Sequence, residues 1–447
     1  MRKSVIAALA LCLLPLAGCG GSPTPPAAEA PRPAATDVEQ ALATGATLTF
    51  WSWVPGIEKA VDLFRSKYPK VTVNLVNAGQ SAAQYTKLQS AVKAGSGAPD
   101  VAQIEYFALP QFALSKAVVD LNPYGAASWK GLFTESAWAQ VNVNGGVYGV
   151  PQDTGPMAMF YRKDLLDRAG VKPPATWDEF VTAAQKLKKA NPSSFITTID
   201  PGDAGGVDSL IWQAGGRPFA ITGPSGVRVD LQDAGAKRWA ALWTRLLKDE
   251  LVDPAAGWND AWWQGMSGGK YAMWLTGAWA PGAIESTIPQ TKGRWRVAPM
   301  PRWDAGTPVN AENGGSSVAV LAQSENTLAA AGFAKWLNSD PEAVRMLNTA
   351  SGLFPATGEL LNSPEFTDAE MPFFDGQRAN EILARGSAEV AAGWNYLPFQ
   401  VYANSVIKDT VGQALAGRSD IAAGLSAWQQ QITGYAKQQG FTVTTGP

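Results

Sequence analysis

Residues 149–164 read G-V-P-Q-D-T-G-P-M-A-M-F-Y-R-K-D. A strand end at Tyr148 to Val150 runs into Pro151, whose ring fixes φ, then into polar Gln152 and Asp153 and the breaker pair Gly155-Pro156. The alternating run Met157 to Tyr161 then resumes as a new strand. The stretch reads as a crossover between two sheets, so the chain before it builds one α/β lobe and most of the chain after it builds another. Asp153 would lie where the two lobes face each other, the usual place for a soluble ligand.

Before the crossover the pattern is β-α-β-α-β. Thr47 to Trp51 reads as a buried strand, and Ile57, Ala60, Val61, Phe64 and Tyr68 repeat at helical spacing. Val71, Val73 and Leu75 alternate as a second strand. Ser81, with Gln84 three places on, opens a helix lined by Tyr85, Leu88 and Val92, and Asp100 to Ile104 is a third strand. That order implies a mostly parallel sheet covered by helices, with ligands at the strands' carboxyl ends. Trp53, Gln80 and Glu105 each fall just past such an end.

After the crossover, Thr176-Trp177-Asp178-Glu179 is a capping box, Asp340-Pro341-Glu342 starts a later helix, and Ala236, Trp239, Ala240, Trp243 and Leu247 form a helix stripe that reads as core. A denser aromatic region holds Trp258, Trp262, Trp263, Trp274 and Trp279 among glycines. Adjacent Trp262 and Trp263 cannot share one helix face, and Trp279 sits in a turn leading to a helix N-terminus. An exposed indole there can stack on the apolar C–H face of a pyranose while carboxylates and amides bind its hydroxyls. Gly314 and Gly315 precede the strand Val318 to Ala322 and would let backbone amides approach a ligand, and Trp394 sits in a break of the helical C-terminal part.

Composition excludes much else. The chain has 447 residues, 46% hydrophobic and 17% charged, with a net charge of -2, which fits two lobes, no nucleic acid and no transmembrane span. It has no histidine, which removes His-dependent triads and His-ligated zinc, and neither metal nor cofactor is expected. Gly265-Met266-Ser267-Gly268-Gly269 fits the nucleophile-elbow pattern of hydrolases, but its base is missing and it follows a helix instead of a strand.

The N-terminus reads as an export signal. Arg2 and Lys3 precede an apolar run, Val5 to Leu14, too short to span a bilayer. Leu16-Ala17-Gly18-Cys19 resembles a bacterial lipobox, which implies cleavage before Cys19 and acylation of its thiol. Residues 19–45 then read as a disordered Pro- and Ala-rich linker that holds the domain off the membrane.

The order of lipobox, Pro-rich spacer, T-L-T-F-W-S-W, the A-P-D-V strand near Asp100, G-V-Y-G-V-P-Q-D-T-G-P-M-A-M-F-Y-R-K-D-L-L, A-T-W-D-E-F, G-K-Y-A-M-W and G-G-S-S-V-A-V resembles the extracellular solute-binding proteins of carbohydrate ABC importers, the group that includes maltodextrin-binding proteins. The resemblance implies the α/β fold of type II periplasmic binding proteins. One lobe would run 46–152 plus 313–352, and the other 153–312 plus 353–447. It also implies a monomeric receptor, tethered to the cell membrane, that closes on a mono- or oligosaccharide and docks on the importer's permease subunits. Carried over by position, the sugar contacts would be Trp53, Gln80, Glu105, Asp153, Trp258, Trp262, Trp279, Gly314, Gly315 and Trp394. Two rival functions stay open on residues alone. One is an exported carbohydrate-active hydrolase using Glu105 and Asp153 as its carboxylate pair. The other is a receptor for a non-sugar solute.

Overall fold

The computed structural model describes residues 35–304, 306 and 309–446. The signal reading and Cys19 lie outside the described residues. The first strands form as their patterns require. Ala46–Trp51, Val71–Val76 and Val101–Glu105 lie parallel, with the first strand in the middle. Helices Glu58–Lys67 and Ala82–Ala94 connect them, and Phe50, Val61, Phe64, Val73, Leu88 and Ile104 are buried in one core. Ser81 does not cap its helix. It sits at φ 48 and its hydroxyl donates instead to Oε2 of Glu105 at 2.6 Å.

The crossover differs from its sequence reading. Val150–Arg162 is one unbroken strand of 13 residues, not two strands joined by a loop. It is kept in one piece by a long partner, Glu312–Val320, which pairs antiparallel along it from Val318 on Val150 to Glu312 on Pro156. Gly314 and Gly315 therefore lie inside a strand, at an irregularity in its register, with φ of 87° and 105°. An extra residue there bends the strand while pairing continues. The missing amide hydrogens of Pro151 and Pro156 are accommodated at points of this irregular pairing.

The long strand changes cores as it runs. Val150 belongs with the three parallel strands, as do Val318, Ala319 and Val320 of the partner. Met157 and Met159 face a second core built on Trp177, Trp239, Trp243 and Trp428, while Ala158 and Phe160 face a third around Trp262, Trp274 and Phe354. Met273–Gly277 and Trp295–Pro299 pair antiparallel with this half. The fold is thus two lobes that share strands. Between the cores, Gln152, Asp153 and Thr154 are buried polar residues, and Thr154 donates its amide to the carbonyl of Phe354, so a third segment crosses beside the two strands.

The predicted N-caps of two helices are present. Thr176 accepts from the amide of Glu179, and Asp340 accepts from Glu342 and Ala343. One expectation is corrected: the linker reading of residues 19–45 fails at its end, where Ala35–Thr44 is a helix. Val38 and Leu42, one turn apart, are buried against helix Thr327–Ser339, and a Cβ on Gly332 would meet both side chains at 2.9 Å. An i, i+4 apolar pair is enough to dock a helix that follows a stretch rich in proline and alanine. Among the described residues no helix is long and apolar enough to cross a membrane.

The crossing strands can be tested at two positions. A Cβ at Gly155 would lie 2.1 Å from the carbonyl oxygen of Asn313. Gly155→Ala should therefore push the paired strands apart and cost about 1–3 kcal/mol, read as a melting point lower by several degrees. Glu312, buried, accepts from the hydroxyl of Ser136 at 2.8 Å, and its Oε2 finds no partner among the described residues. Burial pushes its carboxyl up to about 7, with the nearby Asp153 charge adding to it. The folded state then holds a proton that the unfolded chain has lost, so stability should fall as pH rises from about 4.5 to about 7, by about 1.4 kcal/mol per pH unit. Melting curves of Glu312→Gln across that window should show a flatter slope than those of the parent.

Candidate functional site

A cavity of about 660 Å³ opens between the lobes, within the range of ~300–1,000 Å³ usual for small-molecule sites. Its floor is the carboxyl ends of the parallel strands. There a chain of hydrogen bonds crosses four elements of backbone. Ser52 donates to Oε1 of Gln103 at 2.7 Å, Gln103 donates to the hydroxyl of Ser316 at 3.1 Å, and Ser316 donates both its hydroxyl and its amide to Oδ1 of Asp153. Burial raises the Asp153 carboxyl to about 7 against the pull of those Ser316 bonds. The chain of donors fixes the carboxylate at the point where the long strand passes between cores.

Trp53 and Gln80, past two strand ends, and Glu105, the last residue of the strand Val101–Glu105, all line this cavity. Both side-chain bonds to Glu105 fall on Oε2, from Ser81 and from Tyr85 at 2.9 Å. Trp53 meets Tyr85 edge-on at 6.3 Å, so the one tyrosine steadies both the carboxylate and the indole.

The opposite wall is aromatic. Trp279 ends the turn before helix Ala280–Thr287, and its Nε1 donates to the carbonyl of Asn313 at 2.7 Å. Gly277 and Gly314 make the slot for it, since a Cβ on either would approach Nε1 to 2.5 and 3.0 Å. Gly315 is needed for a different ring, because a Cβ there would meet Tyr106 at 2.6 Å. Both glycines of the pair line the cavity, but their lack of a side chain serves the packing of Trp279 and Tyr106. Trp258, 59% exposed and at φ 61, stacks on Trp279 at 5.6 Å and on Trp262 at 6.1 Å. Trp274 stands edge-on to all three of these rings. Trp262 is itself buried in the third core with one part on the cavity, while Trp263 is outside the lining.

Trp394 corrects the sequence expectation. It is 5% exposed, stacks on Trp212 at 5.1 Å inside the second core, and does not line the cavity. Tyr396, two residues on, does line it. Its ring meets Trp394 at 5.9 Å on one side and Phe107 of the other lobe at 6.5 Å, so it packs against both cores.

Sequence reasoning missed a whole segment. Asp200 to Ser209, D-P-G-D-A-G-G-V-D-S, forms a third wall around the start of helix Ala204–Gln213. Asp203 caps that helix through the amide of Gly206, and Asp200 takes the amides of Gly202 and Gly257. An aspartate- and glycine-rich break before a helix was the available signal. The Gly265–Gly269 pattern lies at the end of helix Asp260–Gly268, where the Ser267 hydroxyl donates to the carbonyl of Gln264 at 3.3 Å.

The family model for bacterial extracellular solute-binding proteins matches residues 51–344. A lactose-binding protein of Rhizobium radiobacter is 27% identical over 415 residues, covering 84% of this chain and 92% of that protein. Among solved structures, the ABC transporter associated binding protein of B. animalis subsp. lactis Bl-04, in complex with β-1,6-galactobiose, is 38% identical with a TM-score of 0.79, covering 90% of this chain and 100% of that one. The galacto-N-biose/lacto-N-biose I-binding protein of Bifidobacterium longum, in complex with lacto-N-biose, is 25% identical with a TM-score of 0.78, covering 90% and 99%. A cleft between strand-sharing lobes, walled by indoles and carboxylates, and a family match over most of the folded chain lead to one conclusion: this chain belongs to the bacterial extracellular solute-binding proteins of carbohydrate ABC transporters, which are receptors and not enzymes.

Proposed function

We propose that the chain is a lipid-anchored receptor that binds a short galactose-containing oligosaccharide by lobe closure and delivers it to the permease of an ABC importer. The observation that carries the sugar is that indoles and carboxyls line one cavity together. The indoles of Trp53, Trp258 and Trp279 and the carboxyls of Glu105 and Asp153 line a space of about 660 Å³. A pyranose offers apolar C–H faces and a rim of hydroxyls, and these walls match both. Galactose enters from three of the relatives, the lactose-binding protein and the two solved with β-1,6-galactobiose and lacto-N-biose, each ligand a galactose disaccharide. Lipidation at Cys19 rests on the Leu16-Ala17-Gly18-Cys19 order alone.

We assign residues 46–152 plus 313–352 to the first lobe and 153–312 plus 353–447 to the second, because the long strand and its partner change cores near Asp153 and Asn313. The sugar contacts proposed are Trp53, Gln80, Glu105, Asp153, Trp258, Trp262, Trp279, Gly314 and Gly315, with Tyr396 in place of Trp394. A ligand touching both lobes favours the closed arrangement by its difference in affinity, and about 5.5 kcal/mol turns a 1:99 population into 99:1. Charge-assisted hydrogen bonds at about 1.5–3 kcal/mol each, with one or two stacked rings, reach that sum.

A thermal-shift screen of mono- and disaccharides tests the reading, since a ligand that binds only the folded chain raises its melting point. Galactose disaccharides should give the largest shifts. Calorimetry with the best of them should show Trp279→Ala weakening binding at least tenfold, about 1.4 kcal/mol, with the far-UV circular dichroism unchanged. Wild-type affinity in that variant would remove the aromatic wall from the site.

A further inference from the structure

Trp258 is held in a conformation that its own contacts do not explain. Its backbone is left-handed, at φ 61, a region that bulky side chains avoid because Cβ crowds the next carbonyl oxygen. It is also 59% exposed, so burial of the indole does little to offset that strain. Strained backbone under an exposed ring persists only where the surroundings over-determine it.

Two anchors do this, one on each side. After the ring, Asn259 accepts from the amide of Trp262 at 3.0 Å and donates to the carbonyl of Ala256 at 2.9 Å, which ties it to the start of helix Asp260–Gly268. Before the ring, the amide of Gly257 donates to Oδ2 of Asp200 at 2.8 Å, across 57 positions of sequence. The other oxygen of Asp200, Oδ1, accepts from the amide of Gly202 at 2.7 Å. One carboxyl thus closes its own turn and, with its second oxygen, pins the chain that carries Trp258. A Cβ on Gly257 would come within 3.3 Å of Oδ2, so the bare backbone lets the two segments meet. The indole so placed stacks on Trp279 and meets Trp274 edge-on, both at 5.6 Å.

Resting on the carbohydrate reading above, we infer that Asp200 is a positioning residue of the aromatic wall: through Gly257 it fixes Trp258 as a plate for a sugar ring, and it touches no sugar itself. A plate fixed before the ligand arrives loses no further freedom on binding, which favours the complex.

The test breaks the Gly257 tie alone. In Asp200→Asn the amide oxygen still closes the turn on Gly202, while an NH2 group faces the Gly257 amide, donor against donor. Asp200→Ser, whose hydroxyl can also close that turn, serves should the first variant not fold. Calorimetry on the full chain uses the disaccharide that gives the largest shift in the thermal screen. Asp200→Asn should weaken binding about threefold to tenfold in the parent and less than about twofold in a chain already carrying Trp258→Ala. An Asp200 that bound the sugar directly would cost the same in both. With no sugar present, the near-ultraviolet circular dichroism difference between the parent and Trp258→Ala isolates the signal of the fixed indole, and Asp200→Asn should lose most of it. A full signal in Asp200→Asn, or an affinity loss equal with and without Trp258, overturns the inference and leaves the carbohydrate reading standing. If no sugar binds the parent, the carbohydrate reading fails, and the spectrum alone decides whether Asp200 holds Trp258.

Discussion

Everything in this molecule is arranged around two strands that cannot be separated. Val150–Arg162 and Glu312–Val320 pair along the middle of the chain; the first runs from one core into two others, and the second ends in the first of these, with Ala311 just before it in another. In the proposed closure the two bodies would turn about this pair. Gly155 and Asn313 approach so closely that a methyl group would not fit between them. Glu312 is tied into both bodies, through Ser136 by its side chain and through Ser209 by its carbonyl.

The cleft results from that constraint. Parallel strands end at it from one side, and the loops before two helices, Ala204–Gln213 and Ala280–Thr287, end at it from the other. Asp153 lies on the shared strand itself, held through Ser316, Gln103 and Ser52, so a group that touches it touches the strand that joins the cores. Tyr396 touches both cores across the gap. Under the proposed closure, a ligand there would meet groups whose spacing changes as the lobes close, and a receptor needs that dependence if only its loaded form is to be recognised.

The first strands and helices were legible in the sequence because they are short, periodic and consecutive, and residues at or past those strand ends line the cavity. The crossover was legible as a place but not as a shape. Pro151, Gly155 and Pro156 look like breakers to any local rule, and only pairing with a distant segment, more than 150 positions later, keeps them in one strand. Trp394 misled for the converse reason: local breaks predict exposure, yet its ring found Trp212 from a remote helix. The aspartate and glycine segment at Asp200 was overlooked because capping and turn chemistry look alike whether or not a cavity lies beside them. Val38 and Leu42 were lost in a stretch whose average composition speaks for disorder, although two side chains at helical spacing suffice to dock one short helix.

Small-angle X-ray scattering of the purified chain, with and without a saturating sugar that calorimetry shows to bind, tests the central claim of lobe closure most directly. The account predicts a smaller radius of gyration in the loaded protein, with the contraction reversed when the sugar is dialysed away. A bound sugar that leaves the scattering curve unchanged would contradict it.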